Sequence, residues 1–215
     1  TMMAGLLVLA GGMFISFRMP DQFGLSLAAL LLGFLLSQVG IYFSNRWGRR
    51  PRPDEQIDQS LKGLDNKYAI YHYQTPASHL LVGPAGLWTI LPKHQRGTIT
   101  YENGRWKQRG GGLLMGYLKI FAQEGLGRPD VDIVNEIEGL EKFLGKLMPQ
   151  DEIPAIQSAL VFTHPDADIQ IDPNSELPAP TIPISKLKDL IRKSAKTKPI
   201  TTTKVDEIKA FLPEQ

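Results

Sequence analysis

Charge is spread very unevenly along this chain, and that constrains its fold more than any motif. Residues 1–45 carry two charged side chains, Arg18 and Asp21, while 44 of the 46 fall in residues 46–215. The leader and the remainder are therefore two different materials joined near Arg46. The remainder has an ordinary charged fraction and is long enough for one domain with its own core. The expected organisation is an apolar leader over residues 1–45, a basic, proline-containing linker over 46–53 and an α/β domain over 54–215. A third long apolar run is missing, which excludes a polytopic transporter. The chain contains no cysteine, which excludes disulfide scaffolds, thiolate catalysis, iron–sulfur ligation and cysteine-based zinc sites. A formal net charge of +2 argues neither for nor against a nucleic-acid partner.

Within the leader, residues 23–43 form an uncharged run of 21, enough for a helix to cross about 30 Å of hydrocarbon. Residues 1–17 form a shorter uncharged run, and Arg18-Met-Pro-Asp-Gln22 separates the two with Pro20 as a helix stop. The expected structure is a transmembrane helical hairpin. A cleaved signal peptide is the alternative for the first run, and the absence of a basic segment before it speaks against that. Arg46, Arg49, Arg50 and Arg52 follow the second run closely. By the positive-inside rule they place both termini and the soluble domain in the cytoplasm, and they can attract lipid headgroups. Ala29, Gly33 and Ser37 recur at every fourth position, and Gly40 follows. Such a stripe admits a second backbone, either the first run with its own Gly5, Gly11 and Gly12 or another membrane protein. Neither run contains an ionisable residue in its interior, so the hairpin reads as an anchor and not as a proton or ion path.

Past the linker, Ile57, Leu61 and Leu64 share one face of a short helix beginning at Asp54. Strands are expected over residues 68–73, 79–82, 87–91, 97–101 and 105–107. Gly83-Pro-Ala-Gly86 and Asn103-Gly104 supply turn chemistry between them. Ile133, Ile137, Leu140, Leu144 and Leu147 repeat at helical spacing. Residues 159–163 form a continuous apolar run suited to a buried strand, a proline-rich loop follows over 173–183, and helices are expected near 184–193 and 203–211. The order implies a mixed sheet.

One stretch is more specific. Ser78-His-Leu-Leu-Val-Gly-Pro-Ala-Gly-Leu-Trp-Thr-Ile-Leu-Pro-Lys93, followed by Gly97 and Trp106, resembles the nuclease-related domain family, NERD, of the restriction-endonuclease-like fold. His79, Gly83, Pro84, Gly86, Lys93, Gly97 and Trp106 fall in matching places. A weaker likeness extends over residues 54–193, with Asp54 or Glu55 as the acid of the first helix. The resemblance implies a site where two carboxylates hold a divalent metal and a lysine assists the developing charge. Here Ser78 stands at the aspartate position and Leu91 at the glutamate position, so Glu55, Ser78, His79, Leu91 and Lys93 read as vestigial positions. Neither a catalytic residue nor a metal site is expected; Asp65 and Glu102 are the nearest carboxylates in sequence that could substitute.

Other features have plainer readings. Arg109-Gly-Gly-Gly112 lacks the Lys-Ser/Thr ending of a phosphate-binding loop. Leu113, Leu114, Met115, Tyr117, Leu118, Ile120 and Phe121 make the next segment very apolar. It either packs in the core or meets a membrane or partner. His164-Pro-Asp-Ala-Asp168 reads as a solvated loop, and His72 and His79 as structural histidines. Residues 186–209 carry eight basic side chains against three acidic ones. They form either a solvated surface or one for nucleic acid or anionic lipid. Together these readings lead to an expected non-catalytic, membrane-anchored accessory or stabilising subunit of a larger membrane assembly. Its expected partners are lipids and membrane-complex subunits, meeting it at Ala29, Gly33, Ser37, Gly40, Leu113, Leu114, Met115, Tyr117 and Phe121. No cofactor and no small-molecule substrate is expected. The alternative is a membrane-tethered nucleic-acid-binding protein or metal-dependent nuclease.

Overall fold

A computed structural model of the chain describes residues 2–43, 48, 50–110 and 126–213. It divides into two compact units, Thr1–Arg52 and Pro53–Gln215. In the first unit, α1 (Met2–Arg18) leads through a 3-10 turn at Pro20–Gln22 into α2 (Phe23–Phe43). The two helices pack antiparallel through small residues. A Cβ added at Gly5 would strike Ser37, one at Gly33 would lie 2.8 Å from Leu9, and one at Gly12 would lie 3.1 Å from Ala29. Ser26 Oγ donates to the Gly12 carbonyl at 3.0 Å. The large apolar side chains point the other way, with Leu7, Phe14, Phe17, Leu31 and Leu35 all exposed. Small residues inside and large apolar residues outside invert the pattern of a water-soluble helix pair. Among the described residues, Pro20–Phe43 is the one helix long and apolar enough to cross a membrane, and α1 is a shorter apolar helix.

The second unit is an α/β domain with mixed sheets. It contains α3 (Pro53–Leu61), β1 (Ala69–His72), β2 (His79–Gly83), β3 (Gly86–Lys93), β4 (Gly97–Glu102), β5 (Arg105–Arg109) and α4 (Pro129–Leu144). Then follow β6 (Ile156–Phe162), β7 (Ala167–Ile169), β8 (Thr181–Pro183), α5 (Leu187–Thr197) and α6 (Thr202–Ala210). The described strands form a five-stranded sheet, order β1-β2-β3-β6-β8, and a three-stranded sheet, order β5-β4-β7. The β1–β2 and β2–β3 pairs are antiparallel, whereas the β3–β6 and β6–β8 pairs are parallel. Each turn is set by local chemistry. Gly86 takes φ +97° at the end of the β2–β3 turn, and Asn103 and Gly104 take 51° and 70°, as a two-residue hairpin of the primed type requires.

Both faces of the larger sheet are covered, which is why β2, β3 and β6 read as unbroken apolar runs. One face packs Leu80, Val82 and Leu87 against Leu140 and Leu144 of α4 and Val205 and Ile208 of α6. The other packs Leu81, Trp88, Ile90, Ala159 and Val161 against Ile57 and Leu61 of α3 and Leu187 and Ile191 of α5. Beside the first face, Leu91, Leu160 and Phe162 meet Ile99 and Ile133. Between the sheet's two central strands, Thr89 Oγ1 donates to Ser158 Oγ at 2.9 Å, so these two buried hydroxyls satisfy each other.

Two strands differ from the sequence expectation. Ala167–Ile169 and Thr181–Pro183 were legible as a solvated loop and a proline-rich loop, but they extend the sheets as short parallel strands. Three residues are too few to show an alternating pattern, and β6 and β4 supply the hydrogen-bonding edge that selects them. Gly97 is the most constrained turn residue. It has φ +87°, and an added Cβ would collide with the Arg109 carbonyl oxygen. Gly97→Ala is expected to cost about 1–3 kcal/mol, measured as a lowered unfolding midpoint with the far-ultraviolet spectrum retained.

Candidate functional site

The positions carrying the family resemblance divide between the two faces of the sheet. Lys93 ends β3, and its Nζ donates to Asp132 Oδ2 of α4 at 2.8 Å. One helical turn on, Glu136 is only 9% exposed. Its Oε1 accepts from the Ser78 backbone N–H at 3.1 Å, and the Ser78 side chain also hydrogen-bonds to it. Spacing of four residues puts Asp132 and Glu136 on one side of α4, so the helix lays two carboxylates beside Ser78 and Lys93. Leu91, 8% exposed, lies in the apolar cluster with Ile99, Ile133, Leu160 and Phe162.

On the opposite face His79, almost fully buried, meets His72 with the two Nδ1 atoms 2.7 Å apart, and His72 Nε2 lies 3.0 Å from Asp58 Oδ1 of α3. With His72 neutral, one arrangement satisfies all three groups: Nε2–H of His72 donates to Asp58, and Nδ1–H of His79 donates to His72. Glu55 lies exposed in the first turn of α3, on the element that covers this second face. Asp58 of the same helix is the carboxylate beside His72. Asp65 accepts the Lys67 backbone N–H and Glu102 pairs with Lys107 at 2.6 Å. The carboxylates beside Lys93 are instead Asp132 and Glu136.

The electrostatics of Glu136 follow from its position. Burial pushes its carboxyl above the ordinary carboxylate range, hydrogen bonds from Ser78 pull it down, Asp132 raises it and Lys93 lowers it; burial dominates. Its Oε2 is buried without a hydrogen-bond partner. This donor set does not fit the divalent ion of the resembled family. Ser78 and Leu91 supply no carboxylate, Asp132 is engaged by Lys93, and Glu136 is engaged by Ser78. Among the described residues no three His, Asp or Glu side chains stand close enough to hold a metal.

A second polar group lies at the carboxyl ends of the parallel strands β3 and β6. His94 Nδ1 is 2.9 Å from Thr163 Oγ1, and the His94 and His164 rings lie 4.9 Å apart. The Asp166 backbone N–H donates to His164 Nδ1 at 3.0 Å, which leaves neutral His164 with its proton on Nε2. The 164–168 segment is thus ordered by its own hydrogen bonds, and Asp168 belongs to β7.

In the first unit, Ala29, Gly33 and Ser37 are taken up by α1, and Gly40 is buried. Of the leader arginines, Arg50 is exposed and Arg52 partly so. Arg46 and Arg49 lie outside the described residues, as do Leu113, Leu114, Met115, Tyr117 and Phe121. Sequence reasoning missed Asp132 and Glu136. The available signal was Glu136 itself, which at 100° per residue falls between Leu140 and Phe143, at the edge of the apolar stripe. A buried carboxylate there is held by a partner.

The chain matches no family model, no curated protein and no solved structure.

The raised carboxyl of Glu136 makes a signed prediction. Its folded form keeps a proton over a range where the unfolded chain has released it, so its contribution to stability is largest at low pH. That contribution is lost as pH rises from the ordinary carboxylate range, about 4.5, through the folded value. Glu136→Gln removes this dependence. The variant's unfolding midpoint relative to the parent should climb between acid and neutral pH; a difference that is flat with pH would contradict the assignment.

Proposed function

We propose that this chain is a membrane-anchored accessory protein whose soluble unit is a degenerate nuclease-related domain kept for binding and not for catalysis. One observation carries the reading: the groups that would run a metal-dependent site are closed onto each other. Lys93 is paired with Asp132, Ser78 with Glu136, and Leu91 is packed in the core. A lysine assists a phosphoryl-transfer reaction only while its charge is free to meet the developing anion. Here a carboxylate 2.8 Å away holds that charge. Breaking either pair would also leave a half-buried ion or a buried carboxylate without its donor.

The anchor is α1 and α2, read as a hairpin crossing the bilayer twice. The reading is supported by their outward apolar side chains and their small-residue seam. The arginines after α2 favour a cytoplasmic domain. With Ala29, Gly33 and Ser37 used between the two helices, association with other membrane subunits would involve the outward faces of α1 and α2 or the soluble unit.

The second reading, a tethered metal-dependent nuclease, draws on Asp132 and the orphaned Glu136 Oε2. Cleavage of linear and supercoiled DNA by the detergent-purified full chain, with magnesium or manganese, separates the two. The accessory reading expects no cleavage above buffer, and the same unchanged baseline for Lys93→Ala. Robust metal-dependent cleavage that disappears in Lys93→Ala would sink it. It also expects a fixed-stoichiometry complex with other membrane subunits after mild solubilisation from native membranes, measured by native mass spectrometry.

A further inference from the structure

The segment centred on α5 is the longest basic run among the described residues of the soluble unit. Lys186, Lys188, Arg192, Lys193, Lys196 and Lys198 fall within 13 residues that hold one acid, Asp189. Leu187 and Ile191 are buried against the sheet. At 100° per residue, Lys188, Arg192, Lys193 and Lys196 then occupy the opposite arc together with Asp189. Lys188 Nζ and Arg192 Nη2 donate to the carbonyls of Lys62 and Gly63, each at 3.1 Å, and so fasten α5 to the end of α3. The side chains of Lys186, Lys193, Lys196 and Lys198 are exposed, and none makes an ion pair or hydrogen bond among the described residues. Lys193 and Lys196 lie on α5, and Lys186 and Lys198 flank its two ends; like charges so placed repel each other and do nothing for the core.

We propose that this face of α5 docks on the anionic headgroups of the bilayer that holds α1 and α2. The proposal rests on the anchored reading above. Its first support is chain length. Only residues 44–52 separate α2 from α3, a reach of about 30 Å at full extension, and α5 is fastened to α3. Tethering at that distance makes even a weak surface contact effectively intramolecular. The second support is chemistry. The outward arc carries long ammonium side chains with no Phe, Tyr or Trp between residues 186 and 198. That suits a diffuse layer of phosphate and carboxylate charge, and it lacks the stacking platforms by which single-stranded nucleic acid is held. With no large apolar residue on the arc, the contact stays at headgroup depth and is screened by salt. Asp54 and Glu55 lie in the first turn of α3, at its linker end, and Asp58, nearer Lys62, faces His72.

The absence of cysteine allows a clean test on the full chain. Thr197→Cys at the exposed end of α5 takes a membrane-impermeant donor fluorophore after reconstitution. Energy transfer to a headgroup acceptor is then compared in phosphatidylcholine vesicles and in vesicles with phosphatidylserine at about 30 mol%. Transfer should be higher in the anionic vesicles and fall to the neutral value at about 1 M salt. It should also fall in Lys186→Glu/Lys193→Glu/Lys196→Glu. At roughly fivefold per basic residue, that variant is expected to weaken docking about a hundredfold. These side chains are exposed, so an unchanged unfolding midpoint verifies that the variant is folded. Transfer independent of lipid composition, or unaltered in the triple variant, would overturn the docking. So would oligonucleotide binding lost in the triple variant without any lipid effect, which would make nucleic acid the occupant. Alkaline carbonate extraction separates the two levels. Release from the vesicles would overturn the anchor and the docking with it; retention with composition-independent transfer would overturn the docking alone.

Discussion

Parallel pairing of β3 with β6, from Leu87 opposite Ile156 to Lys93 opposite Phe162, is the contact on which the soluble unit depends. It joins the antiparallel β1–β3 meander to the later half of the chain and buries apolar side chains on both faces at once. One face receives α4 and α6, and the other receives α3 and α5. Because it is parallel, its closure requires residues 94–155 to cross over the sheet, and α4 is the described helix of that crossover. The pairing therefore fixes where α4 lies, and α4 in turn brings Asp132 and Glu136 to Lys93 and Ser78. Pro92 is tolerated in a central strand for a related reason. β2 pairs with β3 only as far as Thr89, so a missing N–H three residues later removes nothing from the β2 ladder.

The polar groups beside Lys93 are held by α4. Leu91 belongs to the neighbouring apolar cluster, and the Ser78 backbone N–H donates to Glu136. The charge of Lys93 needs a partner, and α4 provides it. Glu136 stays buried because Ser78 donates to it twice, and burial still outweighs those bonds. The result is a set of mutually satisfied groups with one orphaned oxygen. Such an arrangement holds α4 against the end of β2 and spends its hydrogen-bonding capacity internally.

Much of this fold was legible in the residues, and the reasons differ by element. α3, α4 and the first five strands have periodicity or turn chemistry long enough to read, and Asn103-Gly104 fixes its hairpin almost alone. β7 and β8 were not legible, because three residues carry no pattern and take their conformation from a neighbouring edge. For the site, Ser78, Leu91 and Lys93 are singled out by the resemblance alone. The carboxylates that stand beside them could not be. Asp132 lies 39 residues from Lys93, and only the tertiary fold brings the two together. The resemblance points to Asp54 or Glu55 as the acid of the first helix, and the contact of Asp58 with His72 carries no signal in the sequence, because it depends on which way a helical side chain turns.

The edges of the larger sheet have a bearing on life in two dimensions. On the anchored reading, copies of this domain are confined to one plane and meet at far higher frequency than in solution. Any exposed strand would be presented repeatedly, in the same orientation, to its equivalents. The sheet offers little to such encounters. At one end β1 has four residues. At the other, β8 has three and is bracketed by Pro180 and Pro183, neither of which can donate a backbone hydrogen bond. A sheet edged in this way can be crowded along a bilayer without fusing with its copies into one continuous ribbon.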